Sequence, residues 1–151
     1  MYDGIHHWIK HQPILEDEYP YTAKEGKCTE DTKEKTTKSP VKNIKGVSWM
    51  NPTCDDLKAA LREGPQSVAV DAGRAAWRSY TGGIVRSSCR KVNLNHGVVA
   101  VGWGVENDVE YFYLKNSWGP RWGDNGYIKV SMLPDGNCGT CNEPVYLRYK
   151  D

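Results

Sequence analysis

The sequence predicts an α+β domain: a short helical start, one capped helix, then a mostly antiparallel sheet. Three observations carry this. "NPTCDDLKAALREGP" has the start and stop signals of a helix. "QSVAVDA", "HGVVAVGW", "EYFYLKNS", "GYIKVSM" and "PVYLRY" read as strands separated by Gly, Asn, Asp and Pro turns. The helices come first and the strands last. A chain of 151 residues suits one domain with one core.

Each element has a local reason. Residues 2–11 are predicted to form a short helix, ended by Pro13. Residues 16–40 are polar, contain prolines and have no hydrophobic period, so they read as a long surface connection. In the capped helix Thr53 stands at the start, Asp56 follows three residues later, and Gly64-Pro65 closes it. Leu57, Ala60 and Leu61 fall on one face. "QSVAVDA" alternates as a half-buried strand does, and "AAWRSYTGGIV" suggests one helical turn followed by a Gly-Gly turn. "ENDVE" at 106–110 is the expected tip of a hairpin.

Composition narrows the function classes. With 20 basic and 19 acidic side chains the net charge is +1, which gives no electrostatic case for nucleic acid or an anionic membrane as partner. No apolar run approaches the roughly 20 residues that a membrane span needs. "MYDGIHHWIK" has no apolar signal core and no early basic cluster, so no targeting segment is expected there. The one Asn-x-Ser/Thr triplet, Asn51-Pro52-Thr53, carries the forbidden proline, and no N-glycan is expected. Five cysteines, Cys28, Cys54, Cys89, Cys138 and Cys141, read as disulfides made in an oxidising compartment, with one left over. "CGTC" at 138–141 is a Cys-x-x-Cys pair, but no second pair or nearby histidine completes a tetrahedral set, so neither metal nor cofactor is expected.

The chemistry concentrates at "LNHGVVAVGWG" and "YFYLKNSWGPRWGDNGY". A lone histidine heading an apolar strand is usually structural, and an asparagine in a glycine-rich turn is ordinary. Together they suggest more. An imidazole acting as general base needs its other ring nitrogen held by an acceptor, which an asparagine oxygen provides without adding charge. Adjacent antiparallel strands can bring His96 and Asn116 together, and Trp118 and Trp122 flank the asparagine where they can shield the bond from water.

The sequence resembles the papain-like cysteine peptidases in "YPY" at 19–21, "LKAALREGPQSVAVDAG", "YTGGIV", "LNHGVVAVGWG", "YLKNSWGPRWGDNGYI" and "NCGTCN". The resemblance runs from Met1 to Tyr149, and its Asn-Ser-Trp-Gly-x-x-Trp-Gly block is highly specific. It implies a papain-like right lobe, an antiparallel barrel-like sheet with a packed helix, over residues 26–151. Residues 1–25 are implied to be the last helix and connection of the left lobe. His96 takes the place of the catalytic histidine, Asn116 that of the asparagine orienting it, and Trp118 that of the tryptophan covering the pair. Met1, Ala69, Leu94, Gly97, Trp122 and Glu143 are implied to contact substrate, with Glu143 at the floor of the main specificity pocket. The pocket receives the second residue upstream of the scissile bond; its apolar walls suit a hydrophobic side chain, and the carboxylate suits arginine. The resemblance also implies the disulfides Cys89–Cys138 and Cys54–Cys141, and a Cys28 that bonds into the other lobe.

The nucleophile is what the resemblance leaves unplaced. In that family it lies in a Cys-Gly-Ser/Ala-Cys-Trp type of stretch about 130 to 150 residues before the histidine and asparagine. His96 has 95 residues before it, and none of the five cysteines stands in such a stretch. The nucleophile and the glutamine of the oxyanion hole are therefore expected upstream of Met1, which is read as a cut site or a late start. The expected function is that of the C-terminal part of a lysosomal, vacuolar or secreted endopeptidase. Its partners are the Cys-bearing lobe and protein or peptide substrates, and the chain alone is inactive. The alternative is a non-catalytic papain-like module used for binding or assembly. An unrelated β-rich binding domain is the third reading, which the motif block makes hard to sustain.

Overall fold

The computed structural model describes residues 1–11, 15, 17–22, 24–26, 44–87, 89 and 93–149, with Ile44, Lys45 and Tyr149 described in the backbone only. Most of the predicted 16–40 connection, together with Pro13 and Cys28, lies outside the described residues. The chain divides into two compact units. The larger comprises Met1 and Ser48–Tyr146, the smaller Tyr2–Val47 and Leu147–Asp151.

In the smaller unit the predicted helix forms as α1 (Tyr2–His11), with Asp3 in its first turn and Lys10 and His11 in its last, the placement that complements a helix dipole. Ile5 is its buried residue. The strands β1 (Ile44–Trp49) and β7 (Val145–Tyr149) are neighbours, and each passes from one unit into the other. β1 was not expected from the sequence: Gly46 and Lys45 interrupt its apolar pattern, and its partner lies at the far end of the chain.

The larger unit holds α2 (Cys54–Ala60), β2 (Gln66–Val70), α3 (Ala75–Arg78), β3 (Ile84–Val85), β4 (His96–Glu106), β5 (Val109–Lys115) and β6 (Tyr127–Ser131). Thr53 caps α2, its Oγ1 accepting the Asp56 N–H at 3.1 Å. The regular helix stops at Ala60, and the chain reaches Gly64 through a looser turn. The hydrogen-bonded strand order is β7-β2-β4-β5-β6-β3. The β4–β5 hairpin turns on Asn107 and Asp108, at φ 50° and 60°, the left-handed pair that a two-residue turn requires. β2 pairs antiparallel with β4 and β7, and β5 antiparallel with β4 and β6, whereas β3, not expected as a strand, runs parallel to β6. Tyr80 pins that arrangement, its hydroxyl donating to the Gly83 carbonyl at 2.5 Å and accepting the Lys129 N–H at 3.3 Å.

One sheet face builds the core. Val68, Val70, Val98, Ala100, Phe112, Leu114, Ile128 and Val130 are buried with Leu57 of α2 and Trp77 of α3. Cys89–Cys138 and Cys54–Cys141 are bonded, with Cα separations of 4.8 and 5.0 Å, and they join loops to this core. "CGTC" is thus divided between two disulfides. Because side chains alternate along a strand, the register that buries Val98 and Ala100 also turns His96 toward the core side at the head of β4.

Candidate active site

His96 opens β4 between β2 and β5, opposite Val70. Asn116 follows the last residue of β5, two past the buried Leu114, and so keeps to the core side as well. β4 and β5 pair Val99 with Lys115; continuing that register puts Asn116 opposite Val98 and diagonal to His96. Diagonal neighbours are within reach of long side chains. The reach is used: His96 Nε2 lies 2.8 Å from Asn116 Oδ1.

A second bond fixes the proton. The Ser117 N–H donates to the same Asn116 Oδ1 at 2.8 Å, so that atom must be the amide oxygen and not the nitrogen. An acceptor facing Nε2 makes Nε2 the N–H of a neutral imidazole and leaves the lone pair on Nδ1. The arrangement can therefore accept a proton at Nδ1 while Asn116 holds the ring. Asn116 is 8% exposed, so this bond is kept from competing water.

Aromatic rings hold the imidazole on two sides. Trp118 lies 5.2 Å from the His96 ring, at 35°. Trp77 meets it edge-on at 6.5 Å and 80°. Trp118 remains 44% exposed and forms the outer cover, whereas Trp77 is fully buried beneath. Trp122 stands behind Trp118 at 5.3 Å and packs on Trp77 and Tyr80, each at 5.9 Å. It supports the cover and does not line either pocket beside His96. Trp77 was missed from sequence, because a large aromatic in a one-turn helix carries no mark beyond core packing.

The other residues read from sequence come together beside His96. A pocket of about 300 Å³ is lined by Met1, Trp49, Ala69, Leu94, Asn95, His96, Gly97 and Glu143. Ala69 and Gly97 are register partners on β2 and β4, on the face turned from the core, and their small size opens the space. A Cβ on Gly97 would meet the Met1 sulfur at 3.7 Å, and Met1 Sδ accepts the Ser67 hydroxyl at 3.3 Å. Leu94 is half-buried and Glu143 exposed.

Behind this wall is a group that sequence reasoning overlooked. Asp71, 2% exposed, accepts the Gly73 N–H at 3.1 Å, the Arg74 guanidinium at 3.0 Å, the Asn93 N–H at 3.3 Å and Asn95 Nδ2 at 3.4 Å. Asn95 in turn accepts the Ala72 N–H at 3.0 Å. This network ties down 93–95, the segment that carries Leu94 and leads into His96. Burial works to raise the Asp71 carboxyl; the Asn93 N–H, Arg74 and the Gly73 N–H outweigh it and hold the carboxyl below its usual range. A depressed carboxyl contributes stability that is complete above its unfolded value of about 3.9 and is lost as pH falls through the folded one. Asp71→Asn is expected to cost about 1.5 to 3 kcal/mol near neutral pH, the range for hydrogen bonds to a charged group. The gap from the parent, measured by urea unfolding, should narrow as pH falls below about 3.9. A gap that widens in acid would refute this account of Asp71.

A family model described as "Papain family cysteine protease" matches residues 1–148. The chain is 42% identical over 137 residues to "Germination-specific cysteine protease 1" of Arabidopsis thaliana, a match covering 87% of this chain and 35% of that protein. It is 36% identical over 138 residues to "Cathepsin L2" of Homo sapiens, covering 87% of this chain and 40% of that protein. Among solved structures, the bromelain protease from Ananas comosus in complex with the E64 inhibitor superposes with a TM-score of 0.81 at 29% identity, over 97% of this chain and 67% of that one. The proform of the ragweed pollen allergen Amb a 11 superposes with a TM-score of 0.85 at 27% identity, over 100% of this chain and 47% of that one. The chain thus spans well under half the length of the curated relatives it matches.

Proposed function

The chain belongs to the papain family of cysteine proteases, and from that premise we propose that it supplies the histidine-bearing part of an endopeptidase whose nucleophilic cysteine lies outside these 151 residues. The observation that carries this reading is the His96–Asn116 pair at 2.8 Å, with Nδ1 left to take a thiol proton. Cys54, Cys89, Cys138 and Cys141 are held in disulfides and cannot act as thiolates. In the completed protein His96 Nδ1 takes the proton of the thiol, and the thiolate attacks the peptide carbonyl carbon. The imidazolium returns the proton to the leaving amine, and water hydrolyses the thioester. Asn116 keeps Nε2–H in place throughout. Two disulfides suit an oxidising compartment and support a lysosomal, vacuolar or secreted site of action. No described helix is long and apolar enough to cross a membrane.

The test compares the 151-residue chain with the same chain joined to the cysteine-bearing segment encoded with it, on fluorogenic peptides under reducing buffer mild enough to keep the disulfides. Hydrolysis is expected from the joined protein alone. Thiol-dependent hydrolysis by the short chain would place the nucleophile within it. A folded joined protein that cleaves nothing would favour the non-catalytic binding module.

The pocket walls support an apolar or arginine side chain at the second residue upstream of the scissile bond. Ala69, Leu94 and Met1 provide the slot, and Glu143 lines its exposed part, where it can meet a guanidinium or turn to water. Glu143→Ala is expected to lower kcat/KM for arginine relative to phenylalanine about fivefold, because an exposed ion pair is worth about 1 kcal/mol at most. Paired substrates differing at that one residue measure the ratio. An unchanged ratio removes Glu143 from the pocket.

A further inference from the structure

Two pockets open beside His96, and the charges that line them are opposite. One holds Glu143; the other, of about 290 Å³, is lined by Ala72, Gly73, Arg78, Asn95, His96 and Trp118. Arg78 is the only charged residue lining that second pocket among the described residues. It ends α3 and is exposed; its backbone N–H donates to the Arg74 carbonyl at 2.9 Å, and its guanidinium takes part in no described hydrogen bond, ion pair or ring contact. Arg74, one turn earlier, is committed to Asp71 at 3.0 Å, and that bond neutralises the nearest buried carboxylate. What remains at the pocket is one uncommitted guanidinium, a half-exposed indole wall and two residues, Ala72 and Gly73, too small to fill the space.

We propose that Arg78 makes this pocket an anion-accepting subsite, so that the protein selects peptides with an acidic side chain immediately after the scissile bond. The proposal rests on the peptidase reading, in which the Glu143 pocket takes the upstream side and His96 marks the bond. A chain continuing past His96 then has its next side chain between Trp118 and Arg78. The methylenes of a glutamate can lie on the indole while its carboxylate takes the planar guanidinium by two parallel hydrogen bonds. A lysine there would face a like charge. The preferred substrate is therefore polarised, with an apolar or cationic residue before the bond and an anionic one after it.

The test uses the joined, cysteine-bearing protein and internally quenched peptides that differ only in the residue after the scissile bond: Glu, Gln or Lys. For the parent, kcat/KM for Glu is expected to exceed that for Lys about two- to fivefold at low salt, as for an exposed ion pair, and the preference should shrink at about 1 M salt. Arg78→Ala should remove it, Arg78→Lys should keep part of it, and Arg78→Glu should invert it. The Gln peptide, carrying no charge, is the reference to which each protein's Glu and Lys rates are normalised. A Glu-to-Lys ratio that is flat, or that Arg78→Ala leaves unmoved while cleavage continues, overturns the subsite and leaves the peptidase reading intact. A folded parent that cleaves none of the three overturns both.

Discussion

His96→Ala in the joined protein is expected to lower kcat by about four orders of magnitude or more, since among the described residues no other group is placed to take the thiol proton and return it to the leaving amine. Asn116→Ala should do much less. It removes one hydrogen bond that holds the ring, about 1.5 to 3 kcal/mol, or roughly a ten- to 150-fold loss. The difference follows from the geometry. Nε2–H only points at Asn116 Oδ1, 2.8 Å away, whereas Nδ1 is the atom that would exchange the proton. Single-turnover acylation rates on the two variants, with far- and near-UV dichroism to confirm the fold, measure the gap. If His96→Ala keeps full activity, the assignment of His96 as the base is wrong. If Asn116→Ala proves as damaging as His96→Ala, the damage lies in the packing around Trp118 and not in a lost orientation.

What could be read from sequence was local in origin. The Thr53 cap, the Asn107-Asp108 turn and the alternation of "QSVAV" each lie within a few residues, and each formed where expected. β1 did not announce itself, because its partner strand stands about 100 residues later and its own pattern is broken by Lys45 and Gly46. The parallel pairing of β3 is set by Tyr80 bridging Gly83 and Lys129, a contact across 49 residues. At the site, the motif block singled out His96, Asn116 and Trp118, but the choice of tautomer needed the Ser117 N–H. Asp71 was passed over because half of its partners are backbone N–H groups, which no side-chain pattern reveals. Arg78 and Arg74 look alike in sequence; only the fold ties one to a carboxylate and leaves the other at a pocket.

Trp77 is where the largest loss of stability is expected. Its side chain is fully buried in the main core, 5.9 Å from Trp122 and edge-on to His96 at 6.5 Å. Trp77→Ala removes that packing and leaves a cavity under β4 and α3, at a cost of about 3 to 5 kcal/mol. Against a domain stability of about 5 to 15 kcal/mol, this removes between about a fifth and all of the margin. Trp77→Phe keeps an aromatic face with less volume and should cost less than half as much. Urea unfolding of the chain gives both numbers. The same substitution bears on the site, because Trp77 closes the inner side of the His96 ring while Trp118 closes the outer. Trp77→Phe, which stays folded, should therefore let the imidazole turn more freely, lowering kcat in the joined protein while KM stays near the parent value, since Trp77 lines neither pocket. A stability loss below about 1 kcal/mol for Trp77→Ala would mean that the core collapses around the gap. A change confined to KM for Trp77→Phe would mean that Trp77 acts on the pocket walls and not on the ring it touches.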